Sequence, residues 1–245
     1  MKKSIPVFLL CSFWLSGILA QQSSAGDLLN GVKKAVDGNS GSSLSHDDIV
    51  NGLKQALTLG AQKSADKLSA LDGFFKDAAV KILLPAEAQK VEKTLRGMGM
   101  GNLVDDAILH INRAAEDAAK SAAPIFVQAI ENMSIQDALG ILRGSDTSAT
   151  VYLKKTTTSQ LTTTFKPVID ASLQKTDATK YWKDIFENYN QLPTTFKKVN
   201  PDLSAYVTQK AIDGIFFYVA VEERKIRKDP AAQVTDLLKK VFAGK

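Results

Sequence analysis

The sequence predicts an all-α fold, a single irregular bundle of about eight or nine helices around a buried central helix at about 201–227. Three observations predict it. Apolar residues recur every three or four positions through almost every segment, the period of an amphipathic helix. Helix start and stop signals punctuate the chain at matching intervals. No strand-type alternation of useful length appears, and no internal repeat of fixed period.

Residues 1–25 have the parts of a secretory signal peptide. Lys2 and Lys3 precede an uncharged run from Ile5 to Leu19, and Ala20 and Ala25 offer two small-residue cleavage points. At about fifteen residues the run falls short of the roughly twenty needed to span a bilayer. Nothing later is apolar enough, so no transmembrane segment is expected after cleavage. Cys11, the single cysteine, lies inside this run and would leave with it. A domain of about 220 residues can rely on its core alone, burying around 70% of its unfolded surface.

Residues 26–44 read as a short helix with Leu28, Leu29, Val32 and Ala35 on one face, followed by a flexible Gly/Ser linker. The helical domain then spans 45–245. Ser45 and Asp48 have capping-box spacing, and Ile49, Leu53, Leu57, Ala61, Ser64, Leu68 and Leu71 form one long stripe that Asp72-Gly73 ends. Phe74 to Leu84 is an apolar connector, and Pro85 suits the first turn of a helix that stops in Gly97-Met98-Gly99-Met100-Gly101. Asn102 is placed to cap the next helix, which Pro124 breaks or kinks. Ser134 and Asp137 repeat the capping box, and Gly144 stands at a C-terminus.

From Asp146 to Leu173 the helical period persists through eight threonines, with a kink expected at Pro167. Tyr181, Trp182, Ile185, Phe186 and Tyr189 mark an aromatic helix. Pro201 opens the next helix and Pro230 the last, with Val234, Leu237, Leu238, Val241 and Phe242 on its apolar face. Between Ala211 and Val221 Asp213 is the sole charge, which predicts a helix buried on all sides.

Ser134-Ile-Gln-Asp-Ala-Leu-Gly-Ile-Leu-Arg-Gly144 and Asp146-Thr-Ser-Ala-Thr-Val-Tyr152 give the chain its most specific signature. With Asn112-Arg-Ala-Ala-Glu116, Asn200-Pro-Asp-Leu203, Ala211-Ile-Asp-Gly214 and the turn from Asp236 to Phe242, it resembles a bacterial exported family, domain of unknown function 4197. The resemblance covers roughly Leu44 to Phe242. It implies an exported, helical, Gram-negative-type protein and brings no activity with it. Asp213, Gly214 and Glu222 fit the family pattern, whereas an arginine is expected where this chain has Gln233.

Charge excludes one partner class. Removing Lys2 and Lys3 leaves 31 − 2 = 29 basic against 26 acidic residues, interspersed rather than gathered into a stripe, so no nucleic-acid binding is expected. His46 and His110 are far apart with no cysteine beside them, so no metal site and no cofactor is expected. Asp37, Asn39, Gly41 and Asp48 only loosely resemble a calcium loop, whose turn glycine is replaced by Ser42. Ser64-x-x-Lys67 and Ser172-x-x-Lys175 have the spacing of some acylating enzymes, without companion motifs. Walker, dinucleotide and Gly-x-Ser-x-Gly patterns are missing.

Polar residues on apolar helices remain. Asp213, expected to be buried, must find a basic partner, and Arg113 on the alanine-rich helix is the first choice. Asp213, Arg113, Glu116 and Glu222 are therefore the candidate binding residues, either lining a polar pocket or fixing the seat of the central helix. The leading functional expectation is a periplasmic or extracellular non-enzymatic binding or structural protein. Its partner would be a small molecule, peptide or envelope component. The alternative is an envelope hydrolase or lyase using carboxylates such as Asp213 and Glu222.

Overall fold

A computed structural model of the chain describes residues 45–175, 182, 183, 187, 190, 191, 198, 202–233 and 235–242. The expected signal peptide, the 26–44 arm and most of the 181–189 helix lie outside the described residues. Among those described every regular element is helical. Seven α-helices of nine residues or more follow in order: α1 His46–Ser69, α2 Gln89–Gly97, α3 Gly101–Ala119, α4 Ala122–Glu131, α5 Ile135–Arg143, α6 Ser148–Gln174 and α7 Leu203–Lys228. A 3-10 turn, Ala86–Ala88, precedes α2; another, Pro230–Ala232, and a short helix, Asp236–Phe242, close the domain. Among the described residues the expected eight or nine helices are seven of this length, because the one expected from Pro230 forms as a 3-10 turn and a seven-residue helix.

Both capping boxes form. Ser45 Oγ accepts from Asp48 N while Asp48 accepts from Ser45 N, and Ser134 and Asp137 repeat the exchange at α5. Elsewhere the boundaries shift. Leu71 lies past the end of α1 and is exposed, because the chain turns at Ala70. Asn102 does not cap α3; Met100 is the N-cap and Gly101 the first helical residue. The break that Pro124 signals falls earlier, after Ala119, and Pro124 sits in the first turn of α4, where its missing N–H would have had no helical partner. Gly144 ends α5 in an extended rather than left-handed conformation. A Cβ there would collide with Ser148 Oγ, so close approach explains the glycine.

α6 continues through Pro167, which lies on its exposed side. Its threonines are accommodated by bonding backwards: Thr156, Thr157, Thr158, Thr162 and Thr163 each donate to the carbonyl four residues earlier. Four alanines of α3, Ala114, Ala115, Ala118 and Ala119, are fully buried and let neighbouring helices come close. Phe74, Phe126, Phe165, Leu53, Leu68, Ile111, Leu153, Leu161 and Ile169 fill the core around them.

α7 packs on α1, α3 and α6, so it is central, yet it is not buried on all sides. Gln209, Lys210, Asp213 and Phe217 emerge on its fourth side. Three packed neighbours cannot cover a full turn of a 26-residue helix, and residues 209, 213 and 217, spaced by four, share the uncovered stripe. On α1, a Cβ added at Gly60 would stand 3.5 Å from Glu222 Cβ and Ile226 Cδ1, ordinary contact, so the α1–α7 approach there leaves room for a methyl group.

Candidate functional site

The loop from Ala70 to Leu84 carries no helix; turns within it pair Gly73, Lys76, Asp77, Val80 and Lys81 N–H groups, and the N–H groups of Phe74, Phe75 and Ile82 find partners elsewhere. Asp72 begins it at φ 68°, the left-handed region, where aspartate is one of the few tolerated side chains. Gly73 follows because the loop folds back onto the end of α1: a Cβ would stand 2.7 Å from the Leu68 carbonyl.

One face of α3 supplies the partners. Asn112 Oδ1 accepts from Ile82 N at 2.8 Å while its Nδ2 donates to Ile82 O at 2.8 Å and Ile108 O at 2.7 Å. The side chain thus pairs with one residue of the loop as a strand neighbour would. One turn on, Glu116 Oε1 accepts from Phe74 N and Phe75 N, both at 3.1 Å. Arg113 bridges the two ends, donating to Glu116 Oε2 and to Asp72 Oδ1 at 2.6 Å each. Lys76 reaches the other Asp72 oxygen at 2.8 Å.

α7 holds the same loop from its other side. Tyr206 Oη donates to Leu83 O at 2.8 Å, and Tyr218 Oη donates to Asp77. Lys67 Nζ pairs with Asp77 at 3.0 Å and lies 4.1 Å from the Tyr218 ring centre. Phe74 is buried directly against Gly214, where a Cβ would come within 2.6 Å of Phe74 Cε1.

The charges respond to these contacts. Hydrogen bonds from Lys76 and then Arg113 hold the Asp72 carboxyl below the ordinary range. Burial pushes Asp77 upward, but Tyr218, Lys67 and the Ala79 N–H outweigh it and the net shift is downward. Lys67 is raised by Tyr218 first and Asp77 second.

A second network lies at the far end of α7. Glu223, 4% exposed, accepts from Ala149 N at 3.0 Å and from Thr150 N and Oγ1 at 2.8 Å. It therefore caps the N-terminus of α6, whose own N-cap residue, Thr147, makes no such bond. Arg227 donates to Glu223 through Nε at 3.1 Å and Nη2 at 2.9 Å, and that Nη2 also reaches the Ile141 carbonyl in the last turn of α5. One ion pair thereby joins three helix ends.

Of the four sequence candidates the structure brings together two, Arg113 and Glu116. Asp213 corrects the expectation made for it: it is exposed, it accepts from Gln209 Nε2 at 3.0 Å, and Arg113 is committed to Asp72 and Glu116 instead. Glu222 pairs with Lys225 at 2.6 Å. Nine residues apart, Asp213 and Glu222 sit about two and a half turns from each other on one helix and so point to opposite sides. Neither the polar pocket of Asp213, Arg113 and Glu222 nor an ion pair between Asp213 and Arg113 seating the central helix forms.

Sequence reasoning missed Asp72, Asp77, Tyr218 and above all Glu223 with Arg227. A faint signal existed for the last pair in their spacing of four along a helix. Ser64, singled out for its spacing from Lys67, is buried with its hydroxyl donating to Gly60 O at 2.7 Å, so it presents no nucleophile to solvent. At Gln233 the amide is buried and donates to Ile226 O at 2.9 Å, tying the Pro230–Ala232 turn to α7.

Chemically, both networks are closed. The buried carboxylates Glu116 and Glu223 have each oxygen engaged by an N–H, a hydroxyl or a guanidinium. Among the described residues no group of three or more His, Cys, Asp and Glu is placed to hold a metal, and no helix is long and apolar enough to cross a membrane. A family model, described as "Protein of unknown function (DUF4197)", matches residues 43–243. No curated protein and no solved structure matches the chain.

Proposed function

The chain belongs to the DUF4197 family, and from that premise we propose that it is an exported, non-enzymatic binding or structural protein. The observation that carries this reading is the saturation of Glu116 and Glu223. A general acid or base must reach a substrate proton within hydrogen-bond distance. These two carboxylates spend their oxygens on backbone N–H groups and arginines of the fold itself. Export is supported by the Lys2-Lys3 start, the apolar run and the small residues at Ala20 and Ala25. Carboxylate hydrolysis through Asp213 and Glu222 draws no support from the geometry, since paired catalytic carboxylates face each other across one cleft.

The test is mass spectrometry, under non-denaturing conditions, of protein recovered from the exported fraction. A small molecule, peptide or envelope component released intact on denaturation is the expected result. Turnover of an envelope polymer, lost in Asp213→Ala and Glu222→Gln variants that still fold, would establish the enzymatic alternative instead.

A further inference from the structure

The α2–α3 turn, Gly97-Met98-Gly99-Met100-Gly101, was a stop signal in the sequence and takes part in neither polar network. Main-chain bonds hold it. Gly99 N donates to Arg96 O at 3.1 Å and Met100 N to Leu95 O at 2.9 Å, the paired bonds of a Schellman motif with Gly99 in the left-handed region at φ 78°. Met98 N closes the last turn of α2 on Thr94 O at 3.1 Å. None of these bonds uses a methionine side chain.

Those side chains stand in the open. Met98 is 69% exposed and Met100 42%, whereas Met133 is 4% exposed. Each methionine is flanked by glycines, which have no side chains to screen the thioether, and a Cβ added at Gly97 or Gly99 would meet nothing within 4 Å. Arg96, whose side chain passes Gly101, has its guanidinium engaged in ion pairs with Glu92 and Asp105.

We propose that Met98 and Met100 form a modification site for two-electron oxidants of the hypochlorite or peroxide class. The thioether sulfur attacks the terminal oxygen of peroxide, the O–O bond breaks, and methionine sulfoxide and water are formed. With hypochlorous acid the products are the sulfoxide, after hydrolysis of the chlorosulfonium, and chloride. Sulfur is oxidised by two electrons and the oxidant reduced by two. Because the turn is held by main-chain bonds, the sulfoxides leave the fold intact while a polar, hydrogen-bond-accepting tip replaces an apolar one. Met98, more exposed than Met100, is oxidised first. Met133 is shielded by the core.

The full chain is treated, folded, with substoichiometric hypochlorite and separately with hydrogen peroxide, quenched, and analysed by peptide mass spectrometry over time. The expected order is Met98, then Met100, then Met133, with Met98 at least about tenfold faster than Met133 and the three rates converging in denaturant. Circular dichroism and Tm of the doubly oxidised protein should match the untreated protein. Comparable rates at Met98 and Met133 in the folded chain would overturn the proposal. So would loss of helicity at the stage where only Met98 and Met100 carry oxygen. Met98→Leu with Met100→Leu provides the control, and in the folded variant sulfoxide at Met133 should form no faster than in the parent.

Discussion

Glu223 binds the backbone of Thr150, seventy-three residues away, at 2.8 Å, and so a residue near the C-terminus of α7 caps the start of α6. The bond is buried, and Arg227 neutralises the carboxylate in the same place, with side-chain exposures of 7% and 3% for the pair. Removing one member leaves the other charge without compensation and uncaps the helix. Glu223→Ala is therefore expected to cost about 3–5 kcal/mol in urea unfolding. Glu223→Gln, which keeps an acceptor for the α6 N–H groups, should cost less. A loss below about 1 kcal/mol for the alanine variant would show that the cap is idle.

Asp213 should behave in the opposite way. It is exposed and shares one hydrogen bond with Gln209, so Asp213→Ala is expected to shift stability by no more than about 0.5 kcal/mol. Denaturant midpoints of the variant and the parent decide it, and a drop above about 2 kcal/mol would mean that the residue is buried in solution.

Glycine substitutions should separate by location. At Gly214 a methyl group meets Phe74 at 2.6 Å, so Gly214→Ala is expected to destabilise by about 1–3 kcal/mol through overpacking. Phe74→Leu in the same chain should recover part of that loss, a non-additivity that neighbours in contact show. At Gly97, in the last turn of α2, the added methyl has open space. Gly97→Ala should be neutral or raise stability by up to about 1 kcal/mol, since alanine favours a helix. Thermal unfolding of the three variants provides the comparison.

Acid should weaken the fold over a defined window. Asp72, held down by Lys76 and Arg113, and Asp77, held down by Tyr218 and Lys67 against burial, titrate lower folded than unfolded. Asp48 and Asp137 are lowered by the serines they cap with. A lowered carboxyl contributes stability that is complete above the unfolded value of about 3.9 and disappears as pH falls through the folded one. Urea midpoints should therefore be level on this account from pH 7 to about 5 and fall below about pH 4. Asp77→Asn should flatten that acid limb. An unchanged slope in the variant would remove Asp77 from the explanation.

Much of the local structure was legible in the residues. Ser45 with Asp48 and Ser134 with Asp137 announced two helix starts that form as read, because a capping box is completed within four residues. The stripe of α1 followed from the helical period as far as Leu68, with Leu71 beyond the helix end. Boundaries at Asn102 and Pro124 were misplaced by a few residues, since either residue is compatible with several positions of a first turn. Of the candidate site, Arg113 and Glu116 were found and their loop partners were not.

What the sequence determined by itself, then, is the all-helical class, the two capping-box helix starts and the chain's likeness to its family, all encoded in relations among near neighbours. Only the tertiary structure decided which acid of α7 lies inside. Composition singled out Asp213 as the lone charge in an apolar run, yet the uncovered side of a three-sided packing carries it into water while Glu223 goes under. The physical reason is that both buried carboxylates, Glu116 and Glu223, bind backbone N–H groups. Every residue but proline carries that donor, so the partner of such a carboxylate leaves no letter in the sequence.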